Sequence, residues 1–273
     1  MTETLPSKGS MGTAIVTGAS AGIGAAYAER LAARGYDLLL VARRLDRLET
    51  LADALRTRFD VHVHTIGADL ARSGDLEELA DLIARDESVT MLVNNAGMST
   101  LARVADTTFE AAQAMNDVNV RALVRLTMAV LPGLKARDRG AIINVGSVLG
   151  FRSLPISTIY SATKAYVLFF TRGLIDEFAG TNVTVQLVAP AATATDIWEL
   201  SGVPLSQLDP ATVMTIDAMV DASLAGFDNG EAITMPSVED ADTLMAQFDS
   251  ATLALLSASQ RGLPATRYEP VAA

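Results

Sequence analysis

The order of apolar and amphipathic segments predicts an α/β fold, a doubly wound parallel sheet of about seven strands with helices on both faces. Three observations carry that prediction. Short apolar runs recur along the chain, longer stretches with helically spaced apolar residues separate them, and a glycine-rich turn follows the first run.

The runs fall at residues 14–17, 38–42, 61–66, 91–94, 141–145 and 183–188, with a weaker seventh at 232–235. They are rich in Val, Ile and Leu without polar alternation, as strands covered on both faces must be. Between them, Leu48, Leu51, Ala52 and Leu55 exemplify an apolar stripe at helical spacing. Repeated strand–helix–strand units give parallel pairing through right-handed crossovers. A chain of 273 residues, half of them apolar, is long enough to bury one such core.

The expected layout is a loose arm over residues 1–10, a dinucleotide-binding and catalytic domain over 11–235, and a C-terminal helix and tail over 236–273. Residues 191–230 interrupt the rhythm: Gly202, Pro204 and Pro210 surround Ile197, Trp198 and Leu200. A segment of this kind after a strand's carboxyl end is expected to be a substrate lid. An amphipathic helix is expected from 238 to about 257, stopped by Gly262-Leu263-Pro264.

Composition narrows the function classes. With no cysteine, neither a disulfide framework nor a thiolate zinc site is available, and a reducing, cytoplasmic location is expected. A formal net charge of −11 repels phosphate backbones, so nucleic acid is not an expected partner. No apolar run approaches the roughly 20 residues of a membrane helix, and residues 1–10 do not read as a signal peptide. His62 and His64 alternate on the third run without a third ligand, so no metal site is expected. Asp75-Leu76-Glu77-Glu78 reads as a helix start, its acids favoured by the dipole.

The turn after the first strand is Thr17-Gly18-Ala19-Ser20-Ala21-Gly22-Ile23-Gly24. Its glycines allow a sharp turn and let a pyrophosphate approach the amides of a helix start. The second strand ends in Ala42-Arg43-Arg44, where an NAD site would place an acid for the ribose 2′-hydroxyl. Two guanidiniums suit a 2′-phosphate, aided by Ser20, so NADP(H) is expected in preference to NAD(H). Asp69, followed by Leu70, either caps a helix or meets the adenine amino group. Asn94-Asn95-Ala96-Gly97 at the fourth strand's end reads equally as a shaped loop or as a coenzyme contact.

Tyr160 and Lys164 stand four residues apart at the start of a predicted helix and so share a face. A free phenol has a pKa near ~10, and a neighbouring ammonium favours its ionised form. The pair can therefore move a proton to or from an alcohol or carbonyl oxygen. Ser147 ends the fifth strand, where its hydroxyl can hold the same oxygen. Lys164 can also reach the nicotinamide ribose.

Taken together, these motifs resemble the short-chain dehydrogenase/reductase family over about residues 11–235. The matching marks are T-G-x-x-x-G-x-G at Thr17–Gly24, N-N-A-G at Asn94–Gly97, Ser147, and Y-x-x-x-K at Tyr160–Lys164, with thirteen residues from Ser147 to Tyr160. The resemblance implies a fourth catalytic residue, Asn119, which helps hold a water in a proton relay from the lysine; Asn116 is the competing candidate. It also implies transfer of the pro-S hydride, and contacts to the nicotinamide from Pro190 and Thr195, with Thr193 as a second possibility. Ala191 stands where many members carry Gly, and Ala21 where many NADP-preferring members carry a basic residue.

The expected activity is hydride transfer between NADP(H) and a small-molecule carbonyl or secondary alcohol. The rivals are a catalytically silent NADP(H)-binding regulator and an epimerase or dehydratase on the same fold. Leu149, Phe151, Ile156, Trp198 and Met98 suggest an apolar substrate pocket. The apolar helix around Val167, Leu168, Phe169 and Phe170 suits either the core or the interface of a homodimer or homotetramer.

Overall fold

The computed structural model describes residues 11–268, so the arm expected over 1–10 and the last five residues lie outside the described residues. Seven parallel strands form one sheet: β1 (Thr13–Thr17), β2 (Asp37–Ala42), β3 (Val63–Gly67), β4 (Val89–Asn94), β5 (Gly140–Val145), β6 (Val183–Val188) and β7 (Ile233–Thr234). Their order is β3-β2-β1-β4-β5-β6-β7. The winding reverses between β1 and β4, and in such sheets ligands bind outside the carboxyl ends of the strands at that crevice.

Strand periodicity sorts the core into two layers. Ala14, Val16, Leu38 and Leu40 face one side, against helices α1 (Gly22–Ala33), α2 (Leu45–Arg58) and later α8 (Ile216–Asp228). Ile15, Leu39 and Val41 face the other, against α3 (Ser73–Arg85), α5 (Leu123–Arg137) and α6 (Thr158–Glu177). On α2, Leu48, Ala52 and Leu55 are buried as their spacing predicts, with Leu51 packed beside them. The remaining helices of this unit are α4 (Phe109–Asn116), which runs through a π-helical turn (Asp117–Ala122) into α5, and the short α7 (Ile197–Ser201).

Two expectations change. The third strand begins at Val63 rather than 61, because Asp37 takes the His62 amide at 2.7 Å and holds that stretch as a strand entry. Residues 216–230 are not part of an irregular insertion. Met219, Val220 and Leu224 of α8 are buried against the first layer, so the irregular segment ends near 215.

The chain divides after Ser237. In the second unit, α9 (Ala241–Ser259) begins a few residues later than the spacing suggests. It buries none of its residues, and Leu244, Leu253, Leu255 and Leu256 are exposed. No described helix is long and apolar enough to cross a membrane.

Candidate active site

The glycine turn joins β1 to α1 through two left-handed residues, Gly18 at φ 68° and Gly22 at φ 57°. Any side chain at Gly24 would strike the Gly18 carbonyl oxygen at 2.4 Å, and one at Gly18 would strike the Asn95 amide at 2.8 Å. The first is a backbone approach and the second meets a side-chain amide at a left-handed residue, so both positions call for glycine. Asn95 braces the turn, its Nδ2 donating to the Thr17 carbonyl at 2.9 Å. The Thr17 hydroxyl accepts from the Asn95 and Ala96 amides, both at 3.0 Å. The β4 loop is thus a shaped support for the turn.

The start of α1 is prepared for an anion. Its N-cap residue, Ala21, offers no side-chain acceptor, and its first turn, including Ile23, holds no acid. The unsatisfied amides and the positive end of the helix dipole are left for a ligand. Above Gly22 the nearest group is the Thr195 methyl, 3.5 Å from where a Cβ would stand. Arg44 reaches across the turn from the end of β2 and donates to the Ser20 hydroxyl at 3.2 Å; Arg43 is exposed beside it. At the end of β3, Asp69 caps its own loop by accepting from the Ala71 amide at 3.1 Å, and Leu70 is buried. Asp75 lies in the first turn of α3 and accepts from the Asp69 amide.

Four residues foreseen for proton transfer converge at the ends of β4 and β5. Ser147 directly follows β5 and is hydrogen-bonded to the phenol of Tyr160 in the first turn of α6. One turn on, the buried Lys164 donates to the Val145 carbonyl at 2.8 Å, and its Nζ lies 5.8 Å from the Tyr160 ring centre. Gly97 sits beside that ammonium; a Cβ there would stand 3.7 Å from Nζ. Asn119, on the π-helical turn, is buried and holds both backbone groups of Met98 at 2.9 Å. Asn116 is exposed and bonds only back along its own helix, to the Ala112 carbonyl.

The electrostatics differ from the expectation that Lys164 acidifies the phenol. Tyr160 keeps some surface open, yet burial dominates and pushes its pKa up to about 12, partly offset by the Ser147 hydrogen bond. Burial also lowers Lys164 to about 8. Removing either group from water disfavours its charged form, so both shift toward neutrality. A phenol held protonated is suited to giving a proton rather than taking one.

After β6, the Pro190 carbonyl accepts from the Val148 amide at 3.1 Å, tying this loop to the segment after Ser147. Thr193 is buried and bonds within its own loop, whereas Thr195 lies against the glycine turn, so the two threonines separate by position. Of the pocket candidates, Phe151 packs against the core group of Leu123, Val167, Leu168 and Leu187 and is a core residue. Leu149 is partly buried and Ile156 is exposed. Trp198 is half-buried in the lid.

One residue of the site went unforeseen. Thr163 accepts from Asn119 at 3.0 Å and donates to the Tyr160 carbonyl at 2.7 Å. Its only trace in the sequence is its place within Y-x-x-x-K.

The sequence profile of the short chain dehydrogenases matches residues 12–202. A short-chain dehydrogenase from Sphingobium yanoikuyae, solved in complex with NADPH, superposes with a TM-score of 0.90 at 42% identity, over 94% of this chain and 100% of that one. The bulky-bulky ketone specific alcohol dehydrogenase from Comamonas testosteroni gives a TM-score of 0.87 at 38% identity, over 95% and 99% of the two chains. The human very-long-chain 3-oxoacyl-CoA reductase is 34% identical over 225 residues, 81% of this chain and 71% of that protein. Seven parallel strands, a glycine turn at their crevice and these matches agree: the chain belongs to the short-chain dehydrogenase family and is an oxidoreductase.

Proposed function

We propose that this protein reduces ketones carrying bulky apolar groups to secondary alcohols, using NADPH in preference to NADH and Tyr160 as the proton donor. The observation that carries this reading is the Tyr160 phenol bonded to Ser147, one helical turn before the buried Lys164. The Arg44–Ser20 contact beside the glycine turn supports the choice of NADPH, since a guanidinium and a hydroxyl together suit a 2′-phosphate. A neighbour that binds NADPH and one specific for bulky-bulky ketones support it from comparison.

When bound, NADPH supplies the hydride. Gly18, Gly22 and the first turn of α1 would receive its pyrophosphate, Arg44 and Ser20 its 2′-phosphate, and Thr195 the region above the turn. A carbonyl oxygen placed between the neighbouring hydroxyls of Ser147 and Tyr160 would accept from each, and its developing charge would be stabilised. Tyr160 then gives up its proton. Lys164 stabilises the resulting phenolate and, through its bond to Val145, keeps the end of β5 and the start of α6 in register.

We also propose that the outer face of α6 pairs with a second copy. Tyr166 and Phe169 are exposed there, and with Ala162, Ala165 and Phe170 they line a shallow apolar groove.

The test is NADPH consumption with a panel of diaryl, aryl-alkyl and long-chain 3-oxo ketones. One NADPH lost per alcohol formed is expected, with the bulkiest ketones favoured. Turnover without net NADPH loss would point to an epimerase or dehydratase instead, and NADPH binding without any turnover to a regulator.

A further inference from the structure

The lid is stitched into the site by a series of hydrogen bonds centred on one residue, Trp198. At its neck, Met214 donates to the Ala192 carbonyl and Ala194 to the Met214 carbonyl, both at 2.9 Å. These bonds close residues 195–213 into a loop with fixed ends. Inside it, the Leu101 amide, on the segment after β4, donates to the Ser201 carbonyl at 2.9 Å. Ser201 Oγ donates to the Trp198 carbonyl at 2.8 Å, and Trp198 Nε1 donates to the Thr193 carbonyl at 2.8 Å. That same Thr193 oxygen also accepts from the Thr195 amide at 2.8 Å.

One carbonyl therefore holds both the indole of the lid and the residue lying against Gly22. A carbonyl oxygen has two lone pairs, and both are used. A shift of Thr195 toward a ligand at the glycine turn therefore acts on a carbonyl that the indole also uses. Through its backbone carbonyl, Trp198 also takes the Ser201 hydroxyl, and Ser201 in turn holds the segment containing Leu101, which begins just after Met98 and its bonds to Asn119.

We propose that Trp198 is a positioning residue that couples coenzyme occupancy at the glycine turn to the setting of the lid over the substrate. The inference rests on the coenzyme reading of Gly22 and Thr195 given above. Its physical content is a differential contact: the lid is held in its working position by a hydrogen bond whose acceptor, the Thr193 carbonyl, is shared with the Thr195 amide. Coupling of this kind is reciprocal, so substrate should tighten coenzyme binding as much as coenzyme tightens substrate binding.

Trp198 is the sole tryptophan in the chain, so its fluorescence reports on this residue alone. The probe is NADP⁺ rather than NADPH, because the reduced ring absorbs indole emission and would quench at a distance without any change in packing. In the wild-type protein, saturating NADP⁺ should reduce the acrylamide quenching constant of the indole by about twofold or more, as expected when a half-exposed side chain is held against the protein. In Trp198→Phe, which keeps an aromatic ring but removes the N–H, the ketone KM should rise by about tenfold with kcat changed by less than about threefold, the scale of one lost hydrogen bond.

An unaltered quenching constant with NADP⁺ bound, or a Trp198→Phe variant with wild-type KM, would overturn the inference while leaving the coenzyme reading intact. NADPH titration of the wild-type protein separates the two: absence of any binding would defeat the coenzyme reading, and this inference with it. Should Trp198→Phe fail to fold, the quenching measurement on the wild-type protein decides.

Discussion

The side-chain amide of Asn119 donates to the hydroxyl of Thr163 at 3.0 Å, so the π-helical turn and the first turn of α6 meet at a polar contact directly behind Tyr160. Thr163 passes the contact to the Tyr160 carbonyl, and Asn119 passes it to both backbone groups of Met98. Tyr160 is thereby set relative to the β4 loop as well as to its own helix. Thr163→Val keeps the shape and removes the hydroxyl. It should lower kcat by about tenfold, the cost of one buried unsatisfied donor and a loosened phenol, with the NADPH KM within about twofold. Thr163→Ser should restore kcat. A Val variant with wild-type kcat would show that the contact is structural only.

Arg44 and Arg43 are neighbours in sequence, but Arg44 is the one bonded to Ser20 at the glycine turn. Arg44→Ala should weaken NADPH binding by about 10–100-fold, the scale of a charge-assisted contact to phosphate, and NADH binding by less than about threefold. Arg43→Ala should have the smaller effect. Titration with both coenzymes checks this, and equal losses for the two would remove the 2′-phosphate assignment.

Burial lowers Lys164 from its usual value to about 8, so its ammonium is present below that pH and is lost above it. The charged form attracts an anionic coenzyme and stabilises a phenolate. The kcat/KM for NADPH, which reports the groups of the free enzyme, should therefore fall as pH rises through about 8. Tyr160, pushed up to about 12, stays protonated across this range and does not contribute to the fall. Lys164→Met should have low activity without the step near 8; an unbroken plateau to high pH in the wild-type protein would contradict the assignment.

Phe169 is exposed on α6 while Val167 and Leu168 are buried, so the outer face of the helix is separable from its core face. Phe169→Glu should convert the proposed assembly to monomers by light scattering, with the melting temperature little changed. A wild-type mass already equal to one chain would refute the pairing.

Much of this architecture was legible because strand burial is written in uninterrupted apolar runs. Residues 38–42, all buried, are one such run, and both layers of the sheet take alternate residues from it. The glycine turn was legible because Gly24 answers a backbone contact that no side chain survives, and Gly18 a left-handed turn against the Asn95 amide. Asn119 was not, by spacing: its place depends on a π-helical turn that re-aims it toward Met98, and nothing in Asn116-Asp117-Val118-Asn119 marks that turn. Thr163 was missed for the same reason, since its partner becomes visible only when Asn119 is placed. The prolines at 204 and 210 drew the lid too long, and masked the apolar face of α8. Phe151 was expected in the substrate pocket on its apolar character alone, but after the 3₁₀ turn at Val148–Gly150 it packs against a core group. The phenol's shift was misjudged because spacing reveals the nearby ammonium but not the burial that outweighs it.

The central claim is that the Tyr160 phenol delivers the proton to a substrate oxygen shared with Ser147. Tyr160→Phe removes that one hydroxyl and keeps the ring, so parallel measurement of ketone turnover and NADPH affinity isolates it. Turnover should drop by about 10²–10⁴-fold, the usual contribution of a positioned general acid, while NADPH affinity stays within about twofold of wild type. Turnover retained within about tenfold, a smaller loss than general acid catalysis accounts for, would contradict the claim, as would equal loss of turnover and of NADPH binding.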